Sequence, residues 1–285
     1  MQDGTAPPAF PRKPPWLKVR LPSGPTFNEV RRVLATWGLH SVCQEARCPN
    51  LAECFQSGTA TFLVLGNVCT RNCRYCNIAS GRPLPADPTE PKRLAAAARQ
   101  LGLHAIVITS VSRDDLADGG ATHLASCITA IRQAIPGSRI EALVPDFGGQ
   151  AAALDTLLQA GPHVVNHNLE VVSGLFSALR PQGDYGRSLE LLERVHHRGA
   201  VSKSGFMVGL GENIHHIEEL LVDLRRVGCQ RVTIGQYQQP TKDHWPVRRY
   251  YTPGEFDALG KTAREMGFER VTAGPLVRSS YRAFS

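Results

Sequence analysis

Six of the eight cysteines fall between positions 43 and 76, in two groups of three. Cys69-x3-Cys73-x2-Cys76 follows an apolar run, and Cys43-x4-Cys48-x5-Cys54 lies just upstream. Three thiolates this close in a loop can converge on one soft metal centre. Each group is one ligand short of the four that a structural zinc or a fully protein-ligated iron–sulfur cubane takes. A centre left one ligand short can bind a small molecule at the free metal. At this level structural zinc with a remote fourth ligand stays open for both groups. The other two cysteines read as buried hydrophobes: Cys127 lies on an apolar helical stripe and Cys229 follows a helix-terminating Gly228.

The elements that must carry these groups follow a rhythm. Apolar strand-like runs occur at 60–67, 104–111, 139–146, 163–170, 201–210 and 231–237, and each gap contains one helical pattern. The helices show stripes such as Leu94, Ala97, Ala98 and Leu101, or Ile217, Leu220, Leu221, Leu224 and Val227, and most end at a glycine. Thr89 is expected to cap the first of them, and Thr252-Pro253-Gly254-Glu255 has capping-box spacing for the last. Six strands alternating with six helices predict a parallel sheet with right-handed crossovers. Only about 210 residues follow position 60, fewer than the roughly 250 of an eight-unit barrel. The fold class is therefore α/β, a partial (β/α)6 TIM-type barrel, with N- and C-terminal extensions covering its open mouth.

Four segments result. Residues 1–25 hold seven of the 20 prolines and form an extended arm. Residues 26–58 carry the upstream cysteines, after a short helix expected to start with a capping box at Thr26 to Glu29 and to close at Gly38. Residues 59–272 form the barrel, and 273–285 a tail.

Ligands of such sheets gather at the carboxyl ends of the strands, where this chain is polar. Asn168, Glu170, Arg180 and Glu212 are candidates for binding a small cofactor or for a hydrogen-bond network steadying the barrel mouth. Ser112, Arg113, Asp114 and Asp115 would serve a cofactor, a partner or a helix start. His167 reads as a satisfied core histidine and Met207 as core.

Composition narrows the class. The chain is 42% apolar and 20% charged with a net charge of +7, the balance of a folded globular protein rather than a disordered one. The basic excess is scattered, without the dense stripe of a nucleic-acid binder; it suits an acidic protein partner. No apolar run is long enough to span a membrane, and the first 16 residues lack the apolar core of a secretory signal. The expectation is a cytoplasmic protein, monomeric, with no nucleic-acid or membrane partner, whose cysteines serve metal or redox chemistry.

C-x3-C-x2-C with Tyr75 before the last cysteine, after the first strand of a (β/α) series, resembles the radical S-adenosylmethionine superfamily. Gly205-x3-Gly209-x2-Glu212 is similar to that superfamily's adenine-contacting motif. The second triad, the C-terminal Arg278-Ser279-Ser280-Tyr281, and segments such as SRDDLADGGATH (112–123), KSGFMVGLGE (203–212) and TIGQYQQPTKDHWPVRRYYTPGEF (233–256) resemble the lipoyl synthase family over roughly residues 26–282.

The resemblance implies that Cys69, Cys73 and Cys76 hold a [4Fe–4S] cluster whose fourth iron binds S-adenosylmethionine, cleaved to a 5′-deoxyadenosyl radical. It implies that Cys43, Cys48 and Cys54, with Ser280, hold an auxiliary [4Fe–4S] cluster that donates sulfur and is consumed. The implied reaction inserts two sulfur atoms, at C6 and C8, into an octanoyl chain on a lysine of a lipoyl carrier protein, with two S-adenosylmethionine molecules cleaved per lipoyl group. Implied carriers are the lipoyl domain of 2-oxoacid dehydrogenase E2 subunits or the glycine-cleavage H protein, with ferredoxin or flavodoxin as electron donor. An unactivated alkyl C–H offers nothing to a general base, which agrees with radical chemistry. Ser280 reads otherwise as a capping or hydrogen-bonding serine, and Arg278 as its orienter or as the partner of a nearby acid. The rival functions are a two-cluster radical enzyme acting on another substrate and a non-catalytic iron–sulfur carrier.

Overall fold

The structure, a computed structural model, describes residues 12–19, 24–56, 61–281 and 283–284. Ten strands and ten α-helices occur among them. The N-terminal extension contributes α1 (Pro25–Thr36), β1 (His40–Ser41), α2 (Val42–Glu45) and α3 (Leu51–Gln56). The (β/α) series follows as β2 (Thr61–Val64), α4 (Glu90–Gln100), β5 (Ala105–Ser110), α5 (Ala121–Ala134), β6 (Arg139–Leu143), α6 (Ala151–Gln159), β7 (Val164–Asn166), α7 (Ser173–Leu179), α8 (Tyr185–His197), β8 (Ser202–Val208), α9 (Ile214–Arg226), β9 (Arg231–Gln236), α10 (Pro253–Glu265) and β10 (Arg270–Gly274). The two short strands between β2 and α4, β3 (Val68–Cys69) and β4 (Ala79–Ser80), pair with each other and frame the downstream cysteine loop.

The main sheet has the order β1-β2-β5-β6-β7-β8-β9-β10, parallel throughout except for the antiparallel β1–β2 pair. All six expected strands and their six helices are present. A seventh parallel strand, β10, is added and straddles the expected boundary between residues 272 and 273. Five residues with only Val271 and Ala273 packing on helices give too brief an alternation to read from the sequence. β1 and β10 form the two edges of this sheet, so the barrel is open among the described residues.

Alternation along each strand decides its faces. Phe62, Val64, Ile106, Ile108, Ile140, Ala142 and Val165 join α1, α4, α5 and α6 in one buried cluster. Phe206, Val208, Val232 and Ile234 join α9 and α10 in a second. The intervening positions, among them Glu141, Asn166, Lys203, Thr233 and Gly235, face the concave side.

Two helix starts differ from expectation. The sequence pattern at Thr26 to Glu29 is not a capping box: α1 begins at Pro25 behind Gly24, with no side-chain cap, because proline supplies the first helical φ without needing an N–H partner. Thr89 precedes α4 but makes no capping bond, its hydroxyl being taken by Asp87. The Thr252 capping box on α10 is present in full. The extended arm is described only in part, residues 1–11 and 20–23 lying outside the described set along with 57–60. Within it Leu17 is buried and the Trp16 indole N–H donates to the Tyr251 carbonyl.

Candidate functional site

The downstream triad sits in the loop beyond β2, and neighbours on several sides fix that loop. β2 ends in a turn with Leu65 and Gly66 at positive φ. Glu90 accepts from Leu65 N–H at 2.9 Å, and the buried Arg113 donates to the Leu65 carbonyl at 3.2 Å. Inside the loop Arg71 donates to both oxygens of Asp114 at 2.8 and 2.7 Å and to the buried Asp146 at 2.6 Å. Thr70 N–H donates to the Ser112 carbonyl, and Arg74 N–H to Leu179. From the loop after β9, Trp245 N–H reaches the Arg74 carbonyl and His244 Nε2 the Cys76 carbonyl at 3.0 Å. Ser112 and Asp114 therefore hold the cysteine loop rather than start a helix; α5 begins only at Ala121. Asp115 pairs with Arg113.

The upstream triad is split between two short helices. Cys43 lies in α2, whose Ser41 cap accepts from Cys43 N–H, and Cys54 lies in α3; Cys48 N–H closes back onto the Cys43 carbonyl at 3.0 Å. Packing of Phe27 on Phe55, ring centroids 5.5 Å apart, secures α1 against α3. The Cys43 and Cys48 thiols are hydrogen-bonded to each other, and this bond, against its burial, pulls Cys43 down to about 6. Cys48 is pushed up by the same bond and by burial. Burial likewise raises Cys73, and takes Cys76 to about 12. The raised thiols of Cys48, Cys73 and Cys76 lose their protons readily only against a cation or a metal.

The upstream group and Cys76 of the downstream group open on one cavity of about 250 Å³, lined by Cys43, Cys48, Cys54, Cys76 and Ser280 and completed by Asn168, Glu170, Met207 and Arg278. All six cysteines are free thiols. The donor sets are soft and come in threes, and Cys76 brings the downstream set to the chamber that the upstream set lines. Among the described residues no three His, Cys, Asp or Glu side chains are gathered to hold a metal ion as they stand. Thiolate triads this closely spaced fit iron–sulfur clusters, and the buried, unpartnered Asn168 Oδ1 adds a free polar atom at the chamber wall.

The polar candidates divide. Asn168 donates to Glu170 at 2.9 Å and to the Ser279 hydroxyl. Glu170 holds a left-handed backbone at φ 68°, which turns its carboxylate into the chamber, where burial raises its pKa. Arg180 clasps the carbonyls of Asn168 and Leu169 and stacks over Phe176, with Nε unpartnered. Glu212 sits in a hydrogen-bond network, one of its two readings. Its carboxylate accepts the backbone N–H groups of Gly209, Leu210 and Gly211 at 2.6 to 3.1 Å, and so fixes the glycine turn after β8 outside the chamber lining. Met207 packs, partly buried, against a core cluster and also lines the chamber. Ser280 Oγ has no hydrogen-bond partner among the described residues, so the capping reading finds no support. Arg278 is half-buried, donates to the Val277 carbonyl, and faces Cys48 and Glu170. Its pKa is pulled down by burial.

His167 is buried as expected but only half satisfied: Nδ1 bonds the Val144 carbonyl at 2.8 Å while Nε2 has no partner. Cys127 and Cys229 are fully buried hydrophobes, as expected. Asn50, Lys203, His244 and Trp245, which hold the cysteine segments and the tail, were not identifiable individually, since each acts through a backbone carbonyl distant in sequence.

The family profile of the radical SAM superfamily matches residues 63–224, and that of the N-terminal domain of lipoyl synthase matches residues 7–48. A lipoyl synthase of Nitratidesulfovibrio vulgaris (strain Hildenborough) is 54% identical over 274 residues, 96% of this chain and 92% of that protein. The chain belongs to the lipoyl synthase family. A relative of the same name from Methylococcus capsulatus (strain Bath) is 54% identical over 95% of this chain and 85% of its own length, and one from Chlorobium phaeovibrioides is 50% identical over 96% and 97%. Among solved structures, SuiB of Streptococcus suis bound to S-adenosylmethionine superimposes with a TM-score of 0.57 at 16% identity, over 81% of this chain and 55% of that one. Methylornithine synthase gives 0.52 at 14%, over 87% and 82%. These likenesses establish the radical SAM α/β fold.

The chain is thus a sulfurtransferase of the radical SAM superfamily, using S-adenosylmethionine and [4Fe–4S] clusters and acting on lipoyl carrier substrates. No described helix is long and apolar enough to cross a membrane.

Proposed function

We propose that Cys69, Cys73 and Cys76 hold the radical-generating cluster, and that Cys43, Cys48, Cys54 and Ser280 hold an auxiliary cluster consumed as sulfur donor, so that C6 and C8 of an octanoyl-lysine are converted to C–S bonds. The observation that carries this reading is the single chamber on which Cys43, Cys48, Cys54, Cys76 and Ser280 converge. When bound, the clusters and S-adenosylmethionine supply the hydrogen-atom abstraction and the sulfur.

The chain's own groups prepare that chamber. Cys69 and Cys73 are held by the Arg71–Asp114–Asp146 clasp, and Cys76 by His244. Glu170, Asn168 and the Arg180 guanidinium offer opposite polarity on adjacent atoms, which suits the amino and carboxylate groups of S-adenosylmethionine. Glu212 acts one step removed, by shaping the Gly209–Gly211 turn. Tyr75, Tyr237 and Met207 give the chamber apolar walls against which an alkyl chain packs and from which water is excluded. Ser280 is a harder ligand than a thiolate, and a weakly held iron is what a sacrificial cluster needs in order to open.

Residues 26–58 form the extension bearing the auxiliary triad, residues 59 to about 274 the barrel, and the remainder the tail. The carriers are lipoyl domains of 2-oxoacid dehydrogenase E2 subunits or the glycine-cleavage H protein, the reductant is a ferredoxin or flavodoxin, and the protein works as a cytoplasmic monomer.

The test is a single turnover of anaerobically reconstituted protein with dithionite, S-adenosylmethionine and an octanoyl-lysine peptide. Sulfur should appear on the peptide, with loss of iron that requires Cys43, Cys48 and Cys54. Replacing the upstream triad by alanine should abolish sulfur insertion and keep S-adenosylmethionine cleavage; replacing the downstream triad should abolish both. Cleavage that survives loss of Cys69, Cys73 and Cys76 would overturn the assignment.

A further inference from the structure

The C-terminal segment lies along the concave face of the sheet. The Val277 carbonyl oxygen sits where a Cβ on Gly235 would be, 2.2 Å from that position, so this approach requires glycine in β9. Ser279 lies against β8 and the segment after β7, through Lys203 and Asn168. Tyr281 and Ala283 line a small cleft with Lys203, Arg231, Thr233 and Arg270. Phe284 ends beneath the Arg139 guanidinium, 5.0 Å from its ring centre, at the first residue of β6. The tail therefore descends from the carboxyl ends of the strands toward their amino ends.

One charged group holds it there. Lys203, 4% exposed, donates to Glu141 at 2.8 and 3.0 Å and to the Ser279 carbonyl at 2.6 Å. Glu141, fully buried in β6, also accepts from Asn166 on β7 at 3.1 Å. The three donors of an ammonium are thus directed at a carboxylate anchored on neighbouring strands and at one carbonyl of the tail. An ion pair this buried offers little net stability over an apolar pair of the same size, so its retention calls for another role. The bond to the tail supplies one, because the residue after the clamped carbonyl is Ser280.

We propose that Lys203, braced by Glu141, is a positioning residue that fixes the register of the tail and presents Ser280 to the auxiliary cluster. This rests on Ser280 being a ligand of that cluster. Lys203 touches neither substrate nor the reacting atoms; it acts through the Ser279 carbonyl.

The test compares Glu141→Gln with the double variant Glu141→Gln/Lys203→Met in the reconstituted full chain. Both lack the ion pair, neither leaves an unpaired buried carboxylate, and only the second lacks the donor to Ser279. Hydrogen exchange of residues 276–281 should be near parental in E141Q and at least about tenfold faster in the double variant, as expected for a lost charge-assisted hydrogen bond. The auxiliary-cluster Mössbauer signature and its iron should fall in the double variant, with the other cluster retained. Equal exchange in the two variants overturns the clamp, and fast exchange with an unchanged auxiliary cluster overturns the positioning role. Ser280→Ala is measured alongside: if it leaves the auxiliary signature parental, the ligand assignment fails, while the exchange comparison still decides whether Lys203 holds the tail.

Discussion

Asn50 Nδ2 donates to the Leu276 carbonyl at 2.6 Å, tying the segment between Cys48 and Cys54 to the C-terminal tail across 226 residues of sequence. A second tie lies nearby, from the Tyr281 hydroxyl to Glu53 at 2.9 Å. The upstream cysteines and Ser280 are thus held together by direct bonds between the two extensions, not only by a shared support on the sheet.

Asn50→Ala should loosen this junction. Asn50 is 3% exposed, and losing its bond leaves a carbonyl without its donor, a cost of about 1–3 kcal/mol. Iron counted after brief chelation should fall toward about four per chain, the content of one cubane, with S-adenosylmethionine cleavage retained. Full retention of both clusters would count against the junction's role.

Gly235→Ala should displace the tail rather than unfold the barrel. The added methyl meets the Val277 backbone, and Gly235 has no positive φ that alanine would strain. Sulfur insertion should drop at least about tenfold, the equivalent of 1.4 kcal/mol, with the thermal midpoint of the barrel little changed. A variant with parental insertion would show that the tail tolerates a shift at Val277.

Arg71→Met should be among the most damaging single changes near the cysteine loop. It leaves Asp146, whose side chain is fully buried, without its main counter-charge; Arg187 is 3.6 Å away. Breaking such a pair costs about 3–5 kcal/mol. The double change Arg71→Met/Asp146→Asn should recover a large part of that loss in urea unfolding, since it removes both charges.

His167 gives stability a dependence on mildly acidic pH. Burial depresses its pKa from 6.5 to about 4, so in that window the unfolded chain binds a proton that the folded chain refuses. Its contribution is full above pH 6.5 and is lost as pH falls toward 4, in total roughly 3 kcal/mol. Between pH 7 and pH 5 the parent should lose roughly 2 kcal/mol more than His167→Gln. Parallel pH profiles would place the acid sensitivity elsewhere.

The sequence by itself determined the chemistry and the scaffold. Cys69, Cys73 and Cys76 are neighbours in the chain, so their spacing is legible without a fold, and Ile106-x-Ile108 or Ile140-x-Ala142 alternate because each strand buries one face on helices. Glycine ends such as Gly199 and Gly228 mark where helices stop, since both hold left-handed φ near 73°. β10 was missed because an edge strand of five half-buried residues carries little pattern.

Only the tertiary structure decided how the parts meet. Glu212 reads in sequence as a ligand-facing acid or a member of a hydrogen-bond network, and three backbone N–H groups of the glycine turn, one to three positions before it, capture it. His167 loses one of its two partners because the strand register places Nε2 against no acceptor or donor. That Asn50 meets Leu276, and Lys203 meets Ser279, depends on backbone carbonyls, which every residue has and which therefore leave no mark in the sequence.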